Sequence, residues 1–152
     1  MPLNLINSDS GCVGPSPNIA DLMVSYQTLV EAKKRGRMSF YDYSVKDPQN
    51  NDVSMRQFEG KVVIVVNTAT GCGFTPHYED LESMYKKYHE KGLEILDIPC
   101  NQFAGQTPGT DEEIHEFCTL HYNTEFPQMK KSDVNGENAL ELYTFLKSRQ
   151  PQ

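Results

Sequence analysis

The sequence predicts an α/β domain, and three neighbouring segments indicate this fold class. Residues 61–66 read Lys-Val-Val-Ile-Val-Val, a β-branched run typical of a strand buried on both faces of a parallel sheet. Residues 76–90 carry apolar side chains at helical spacing, and residues 93–98 form a second apolar run. A strand, a helix and a strand at this spacing predict a right-handed βαβ unit, with the first strand in the centre of the sheet.

The 152 residues fit one domain, preceded by a tail. Residues 1–37 are rich in glycine, proline and small polar residues, and only residues 19–32 show a helical period. We expect this tail to be disordered or weakly helical. A second hypothesis is that translation starts at Met38. The basic run at residues 33–37 is what the purine-rich nucleotides of a ribosome-binding site would encode if they were translated. The domain is therefore expected to span residues 38–152.

The composition excludes several classes of function. The net charge of −7 argues against a nucleic-acid surface or a polybasic membrane patch. No apolar stretch approaches the roughly 20 residues of a membrane helix, and the first residues lack a secretory signal pattern. We therefore expect a cytoplasmic location, where the four cysteines would be reduced. Their spacing contains no Cys-x-x-Cys and no well-formed zinc motif.

Turn and capping residues predict the ends of the remaining elements. Residues 40–45 alternate aromatic and polar side chains, which predicts a half-buried strand, and residues 47–52 have the residue types of a turn. Thr75 as N-cap and Pro76 as first residue predict the start of the first helix. Gly92 predicts its end.

The second half of the domain is predicted to contain two more helices. Residues 99–109 hold two prolines and two glycines and should form a loop, and residues 110–113 form a capping box that starts a helix. The apolar face of that helix is expected to consist of Ile114, Phe117, Cys118, His121 and Tyr122. Asn138 is expected to cap the last helix.

Cys72 is the candidate for chemistry. It stands between two glycines, directly after the buried strand and before the helix. Unpaired backbone N–H groups at a helix N-terminus favour the thiolate, the reactive form of cysteine, and flanking glycines allow close approach of a substrate. The alternative is a buried cysteine that acts as a small hydrophobic residue. Position alone leaves both interpretations open.

Two long motifs give the sequence a resemblance to a known family. Residues 67–75 read Asn-Thr-Ala-Thr-Gly-Cys-Gly-Phe-Thr, and residues 99–106 read Pro-Cys-Asn-Gln-Phe-Ala-Gly-Gln. Both resemble signatures of the glutathione peroxidase family, and residues 112–118 and 133–139 match it as well. The resemblance runs from about Met38 to Arg149. It implies a thioredoxin-like fold, with a central mixed sheet flanked by helices.

The resemblance implies a role for each of three residues. Cys72 falls on the peroxidatic position, where the thiolate attacks the peroxide and becomes a sulfenic acid. Gln106 falls on the glutamine whose amide polarises thiolate and peroxide. Cys118 falls on the resolving cysteine of the non-selenium members, which would form a disulfide with Cys72 that thioredoxin-like proteins reduce. Because Cys118 lies on an apolar helix face, that helix would have to unwind locally. Cys100 is expected to serve packing.

The family pattern continues beyond the end of this sequence. The expected Trp-Asn-Phe-x-Lys-Phe segment, strand pair and final helix are missing, and the chain contains no tryptophan. The fold is therefore expected to lack the C-terminal strands and helix of the family. The missing strands would pair beside residues 62–66, so this strand is expected to become an exposed edge.

Three functions follow from these observations. The first is a cysteine peroxidase that reduces hydrogen peroxide or organic hydroperoxides and is recycled by thioredoxin or glutathione. The second is an inactive, truncated member of the family, and the third is a thiol relay that senses peroxide. No cofactor site is evident. His115 and His121 would point roughly 240° apart around a helix of about 3.6 residues per turn, which argues against a metal site there.

Overall fold

The computed structural model describes residues 38–150, and the expected tail at residues 1–37 lies outside them. The described elements are, in chain order, β1 (Ser44–Lys46), β2 (Asp52–Ser54), β3 (Val62–Thr68), α1 (His77–Tyr88), β4 (Leu93–Pro99), α2 (Asp111–Tyr122) and α3 (Glu141–Arg149). Short 3-10 turns cover Phe40–Asp42, Met55–Phe58 and His89–Lys91. No helix within residues 38–150 has the length and apolar character that crossing a bilayer requires.

The strand predicted at residues 40–45 is wrong over its first half. Phe40–Asp42 is a 3-10 turn, and extended structure begins only at Ser44. Phe40 and Tyr41 are both buried. In a half-buried strand only one of the two would be buried, because neighbouring side chains of a strand point to opposite faces. The carboxylate of Asp42 accepts hydrogen bonds from the backbone N–H and the hydroxyl of Ser39, at 2.9 and 3.0 Å. This capping contact favours the turn over the strand.

The predicted turn at residues 47–52 is confirmed as the tip of a hairpin. The side chain of Asp47 accepts hydrogen bonds from the N–H groups of Gln49 and Asn51, at 2.9 and 2.8 Å. This network closes the antiparallel pair of β1 and β2, in which Val45 lies opposite Val53. Strand β2 is one element that the sequence pattern did not reveal.

The predicted βαβ unit is confirmed. Strands β3 and β4 are parallel and in register from Val62 opposite Leu93 to Thr68 opposite Pro99, with α1 as the crossover. Gly92 has a φ of 95° directly before β4. Only glycine adopts this left-handed conformation without strain, so it ends the helical segment where the sequence predicted.

The inner strand of this pair is β4 rather than β3. All seven residues of β4 are buried, and Asp97 forms an isolated parallel bridge with Gln128 on the far side of β4. Within residues 38–150, β3 pairs only with β4, so its other edge is unpaired in this part of the chain, as the sequence predicted. The resemblance implied one central mixed sheet. The described residues instead form two small sheets, the antiparallel pair of β1 and β2 and the parallel pair of β3 and β4.

Two apolar clusters cover the two faces of the β3–β4 pair. On one face, Ile64 and Ile95 pack with residues of α1 and α2. On the other face, Leu96 and Ile98 pack with residues of α3 and the N-terminal segment. The strands are therefore covered on both faces, which explains their continuous apolar sequence.

The start of α2 is confirmed, whereas the start of α3 is not where the sequence predicted it. Thr110 and Glu113 form the expected capping box at the start of α2. Asn138 lies in a turn instead of capping a helix, and α3 begins at Glu141 after Leu140. The N–H of Leu140 donates to the carbonyl of Asp133, which holds the chain outside the helix up to Leu140, so α3 starts two residues later than predicted.

Candidate active site

Cys72 lies in the loop that connects β3 to α1, at the carboxyl end of the parallel pair. Its side chain is half-buried and its thiol is free. The backbone N–H of Phe74 donates to its sulfur at 3.4 Å. A donor aimed at sulfur stabilises the negative charge of a thiolate, so the loop supplies the kind of contact that the sequence predicted from a helix N-terminus.

Thr75 fixes the backbone of Cys72 and does not cap the helix as predicted. Its buried hydroxyl accepts a hydrogen bond from the N–H of Cys72 at 2.9 Å and donates to the carbonyl of Ala69 at 2.9 Å. The hydroxyl is used within the loop, and the helix begins at His77 after Pro76, one residue later than predicted. Thr75 therefore closes a tight loop around the cysteine.

Gln106 is brought to this loop through its main chain. The N–H of Gly71 donates to the carbonyl of Gln106 at 2.8 Å. A Cβ atom on residue 71 would lie 3.3 Å from that carbonyl oxygen, so the close approach favours glycine at this position. The structure thus places two of the three predicted residues, Cys72 and Gln106, in neighbouring loops.

Thr107 joins the ends of both parallel strands, and sequence reasoning missed this role. It is fully buried, and its hydroxyl donates to the carbonyl of Cys100 at 2.7 Å and lies 3.4 Å from the carbonyl of Thr68. Its N–H donates to Asn101. These contacts hold the loop of Gln106 against the strand that leads to Cys72.

Cys118 does not lie in the loop with Cys72. It is 1% exposed within the apolar cluster between α1 and α2, and its thiol is free. Burial raises the pKa of the Cys118 thiol to about 12, although a hydrogen bond with Tyr78 opposes the shift. In this conformation Cys118 is an inert thiol, covered by its own helix.

A buried polar group that the prediction overlooked lies beside Cys118. Asp97, in the middle of β4, accepts hydrogen bonds from the hydroxyl of Thr68 at 2.5 Å and from the hydroxyl of Tyr78 at 3.3 Å. Burial raises the pKa of Asp97 to about 7, against the effect of these two bonds. Its signal in the sequence is an acidic residue between Leu96 and Ile98, the apolar residues of β4 that flank it.

The remaining described cysteine has the role expected of it. Cys100 is fully buried in the cluster under α3, and burial raises its pKa. Within the described part of the chain, no group of three or more histidine, cysteine, aspartate or glutamate side chains could hold a metal ion.

A half-buried cysteine directly after the first strand of a parallel βαβ unit is the arrangement of a thiol protein on a thioredoxin-like α/β fold, and a comparison with solved structures tests this. The structure is similar to a crystal structure described as Trgpx in apo form, with a TM-score of 0.59 and 39% identity. The similarity covers 75% of this chain and 67% of the other. The thioredoxin-like α/β fold is thereby confirmed.

Residues 40–147 match the family model of glutathione peroxidase, and the chain belongs to this family. It is 55% identical to the glutathione peroxidase-like peroxiredoxin 2 of Saccharomyces cerevisiae over 73% of this chain and 68% of that protein. It is 54% identical to a glutathione peroxidase of Lactococcus lactis over 72% of this chain and 70% of that protein. By class the chain is therefore an oxidoreductase of the peroxidase type, as its motifs predicted.

Proposed function

We propose that the chain reduces hydrogen peroxide or organic hydroperoxides, with Cys72 as the residue that meets the peroxide. The observation that supports this best is the half-buried sulfur of Cys72, which accepts an N–H from Phe74 in a loop closed by Thr75. Backbone donors that already point at the sulfur stabilise its charge without further reorganisation.

The oxidation step follows from this geometry. The thiolate of Cys72 attacks one peroxide oxygen, the O–O bond breaks, and the leaving oxygen takes a proton to become water or an alcohol. Cys72 is then a sulfenic acid. In this step Gln106 would act from the adjacent loop, which the backbone hydrogen bond from Gly71 holds beside the loop of the cysteine. Its amide would polarise the attacked peroxide by hydrogen bonding.

The resolving step requires Cys118, which the closed structure buries. Local unwinding of α2 would bring its thiolate to the sulfur of Cys72, where an S–S bond forms and hydroxide leaves and is protonated to water. The step consumes the sulfenic acid and protects it from further oxidation. Helix ends and surface helices open more readily than the core strands beneath them.

Thioredoxin is the reductant that we propose, in preference to glutathione. A disulfide between Cys72 and Cys118 is an intramolecular bond that a dithiol protein reduces by thiol–disulfide exchange. The dithiol gives up two electrons and becomes a disulfide, and Cys72 and Cys118 become thiols again. The support for this choice is the presence of Cys118 on a helix of the same domain. A glutathione-dependent cycle would not need it.

One experiment tests these steps together. The reduced protein receives one equivalent of hydrogen peroxide, and alkylation, intact mass and peptide mapping follow. A rapid Cys72–Cys118 disulfide supports the proposal. Cys118→Ser should instead accumulate a sulfenic acid on Cys72 and lose turnover with thioredoxin, whereas Cys100→Ser serves as the matched control and should behave like the unchanged protein. Slow and unselective oxidation of all cysteines would show an inactive member of the family.

A further inference from the structure

The carboxyl group of Asp97 links β3, the strand before Cys72, to α1, the helix that packs against α2. Its oxygens accept hydrogen bonds from Thr68 on β3 and from Tyr78 on α1. Tyr78 in turn stacks on Tyr122 of α2, with ring centroids 5.3 Å apart, and lies in the same apolar cluster as Cys118. A series of contacts thus runs from β3 through β4 and α1 to the helix that carries the buried thiol.

Solvent has almost no access to the side chains of three residues in this series. Asp97 is 1% exposed, Tyr78 is 2% exposed and Cys118 is 1% exposed. Asp97 lies on the same face of β4 as Ile95, the face on which α1 and α2 pack. A carboxyl group in such a place is stabilised when protonated and destabilised when ionised, because within residues 38–150 its side-chain hydrogen-bond partners are the hydroxyl groups of Thr68 and Tyr78, which do not replace the lost water.

We propose that Asp97 is a positioning residue for the resolving step. While it is protonated, Asp97 holds Cys118 under α2 through Tyr78, and once it is ionised it favours opening of α2. The inference rests on the proposed function, because it assigns a role to Asp97 in the delivery of Cys118 to Cys72. It concerns a residue that does not touch the peroxide.

The sign of the pH dependence follows from the pKa of Asp97, which is raised from 3.8 to about 7 in the closed structure. A carboxyl whose pKa is raised by folding stabilises the closed state most below pH 3.8, and this contribution is lost as the pH rises to about 7. Opening of α2 should therefore become easier across the acidic range and level off above neutrality. A single proton changes the opening constant by at most about tenfold per pH unit.

Other groups around Asp97 define the necessary controls. Tyr78 from α1 and Cys118 from α2 titrate well above this range, since burial raises both pKa values. On the far side of β4, Gln128 contacts the ring of His115 at 3.3 Å. Because histidines in general change charge between pH 5 and 8, His115→Gln is one control. Glu94→Gln, which removes another buried carboxylate from the same strand, is the second.

Hydrogen exchange in the fully reduced protein measures opening without any peroxide chemistry. After correction for the intrinsic exchange rates, the opening constant of the α2 amides should rise about 20-fold between pH 5.5 and 7.5 if opening restores an ordinary carboxyl pKa. Asp97→Asn should show less than about a twofold change over the same range, since its amide does not titrate there. His115→Gln and Glu94→Gln should both retain the rise.

A second readout links opening to chemistry. Asp97→Asn should form the sulfenic acid on Cys72 at the unchanged rate but should form the Cys72–Cys118 disulfide more slowly at pH 7.5, by about the same factor as its opening constant falls. Absence of both the Cys72–Cys118 disulfide in the unchanged protein and the sulfenic acid in Cys118→Ser would refute the proposed function and leave the exchange result to decide on Asp97.

Three results would overturn the inference: an Asp97→Asn protein that retains the pH-dependent opening, an unchanged protein whose opening does not depend on pH, or α2 amides that exchange together with those of β4. If Asp97→Asn does not fold, Thr68→Val decides. It retains the carboxyl but removes its shortest hydrogen bond, so the midpoint of the opening profile should move to higher pH. An unmoved midpoint would count against the inference.

Discussion

The hydroxyl of Thr75 accepts a hydrogen bond from the backbone N–H of Cys72 at 2.9 Å and so ties the proposed peroxidatic cysteine to the residue three positions later. The same hydroxyl donates to the carbonyl of Ala69 at the end of β3. One side chain therefore satisfies a donor before the helix and an acceptor after the strand. This contact fixes the backbone of Cys72 ahead of the regular part of α1, which begins only at His77.

Loss of the Thr75 hydroxyl should slow the oxidation of Cys72. Thr75→Val keeps the shape but leaves a donor and an acceptor without a partner, which should lower the free energy of unfolding by about 1–3 kcal/mol. The rate of sulfenic acid formation should fall about tenfold as the loop loosens. Urea unfolding and trapping of the sulfenic acid measure the two effects.

Thr75→Ser is the matched control for this substitution, because it restores the hydroxyl. It should recover most of the rate that Thr75→Val loses. A Thr75→Val protein that reacts with peroxide at the full rate would show that the contact does not position Cys72.

The two glycines that flank Cys72 should differ in their tolerance of a methyl group. At Gly71 a Cβ would lie 3.3 Å from the carbonyl oxygen of Gln106, whereas at Gly73 nothing lies within 4 Å. Gly71→Ala should push the two loops apart by a few tenths of an ångström and slow the reaction of Cys72 about tenfold. Gly73→Ala should stay within about twofold. Equal effects of both substitutions on peroxide consumption would refute the importance of the Gly71–Gln106 contact.

The βαβ unit was predictable because each of its signals is local. The apolar runs of β3 and β4, Gly92 and the capping box at Thr110 all depend on neighbouring residues, and the structure confirms them. The predicted elements are wrong where a polar side chain forms a hydrogen bond with a distant or unexpected partner. Asp42 caps a turn, and Thr75 bonds back to the loop, and neither choice is visible in a pattern of apolar residues.

The candidate site shows the same division. The motifs around Cys72 and Gln106 identified both residues, and the structure shows how Gly71 joins their loops. The cluster of Asp97, Tyr78 and Cys118 could not be predicted, because its members come from three separate elements. Only the packing of α1 and α2 on β4 brings them together. The degree of burial of Cys118 likewise becomes clear only in three dimensions.

Thr107 should contribute to stability more than a loop residue usually does. Its hydroxyl is fully buried and donates to the carbonyl of Cys100 at 2.7 Å. Thr107→Val leaves this acceptor with one bond fewer and should lower the free energy of unfolding by about 1–3 kcal/mol, whereas Thr107→Ser should retain most of it. Urea unfolding followed by circular dichroism compares the two. Equal stability of the valine and serine variants would contradict the assignment.

The thiols of Cys72 and Cys118 should differ strongly in their reaction with iodoacetamide. At pH 8, Cys72 should be alkylated at least about tenfold faster, because the thiolate is the reactive form and the raised pKa of about 12 suppresses it at Cys118. Peptide mapping over time gives both rates.

Unfolding the chain in urea removes the burial, so all cysteines should then react alike, which is the control for intrinsic differences between the peptides. Equal native rates would mean that α2 is already open and that Cys118 needs no release. The resolving step would then be limited by the chemistry of the two sulfurs, and the opening of the helix would have no influence on the rate of disulfide formation.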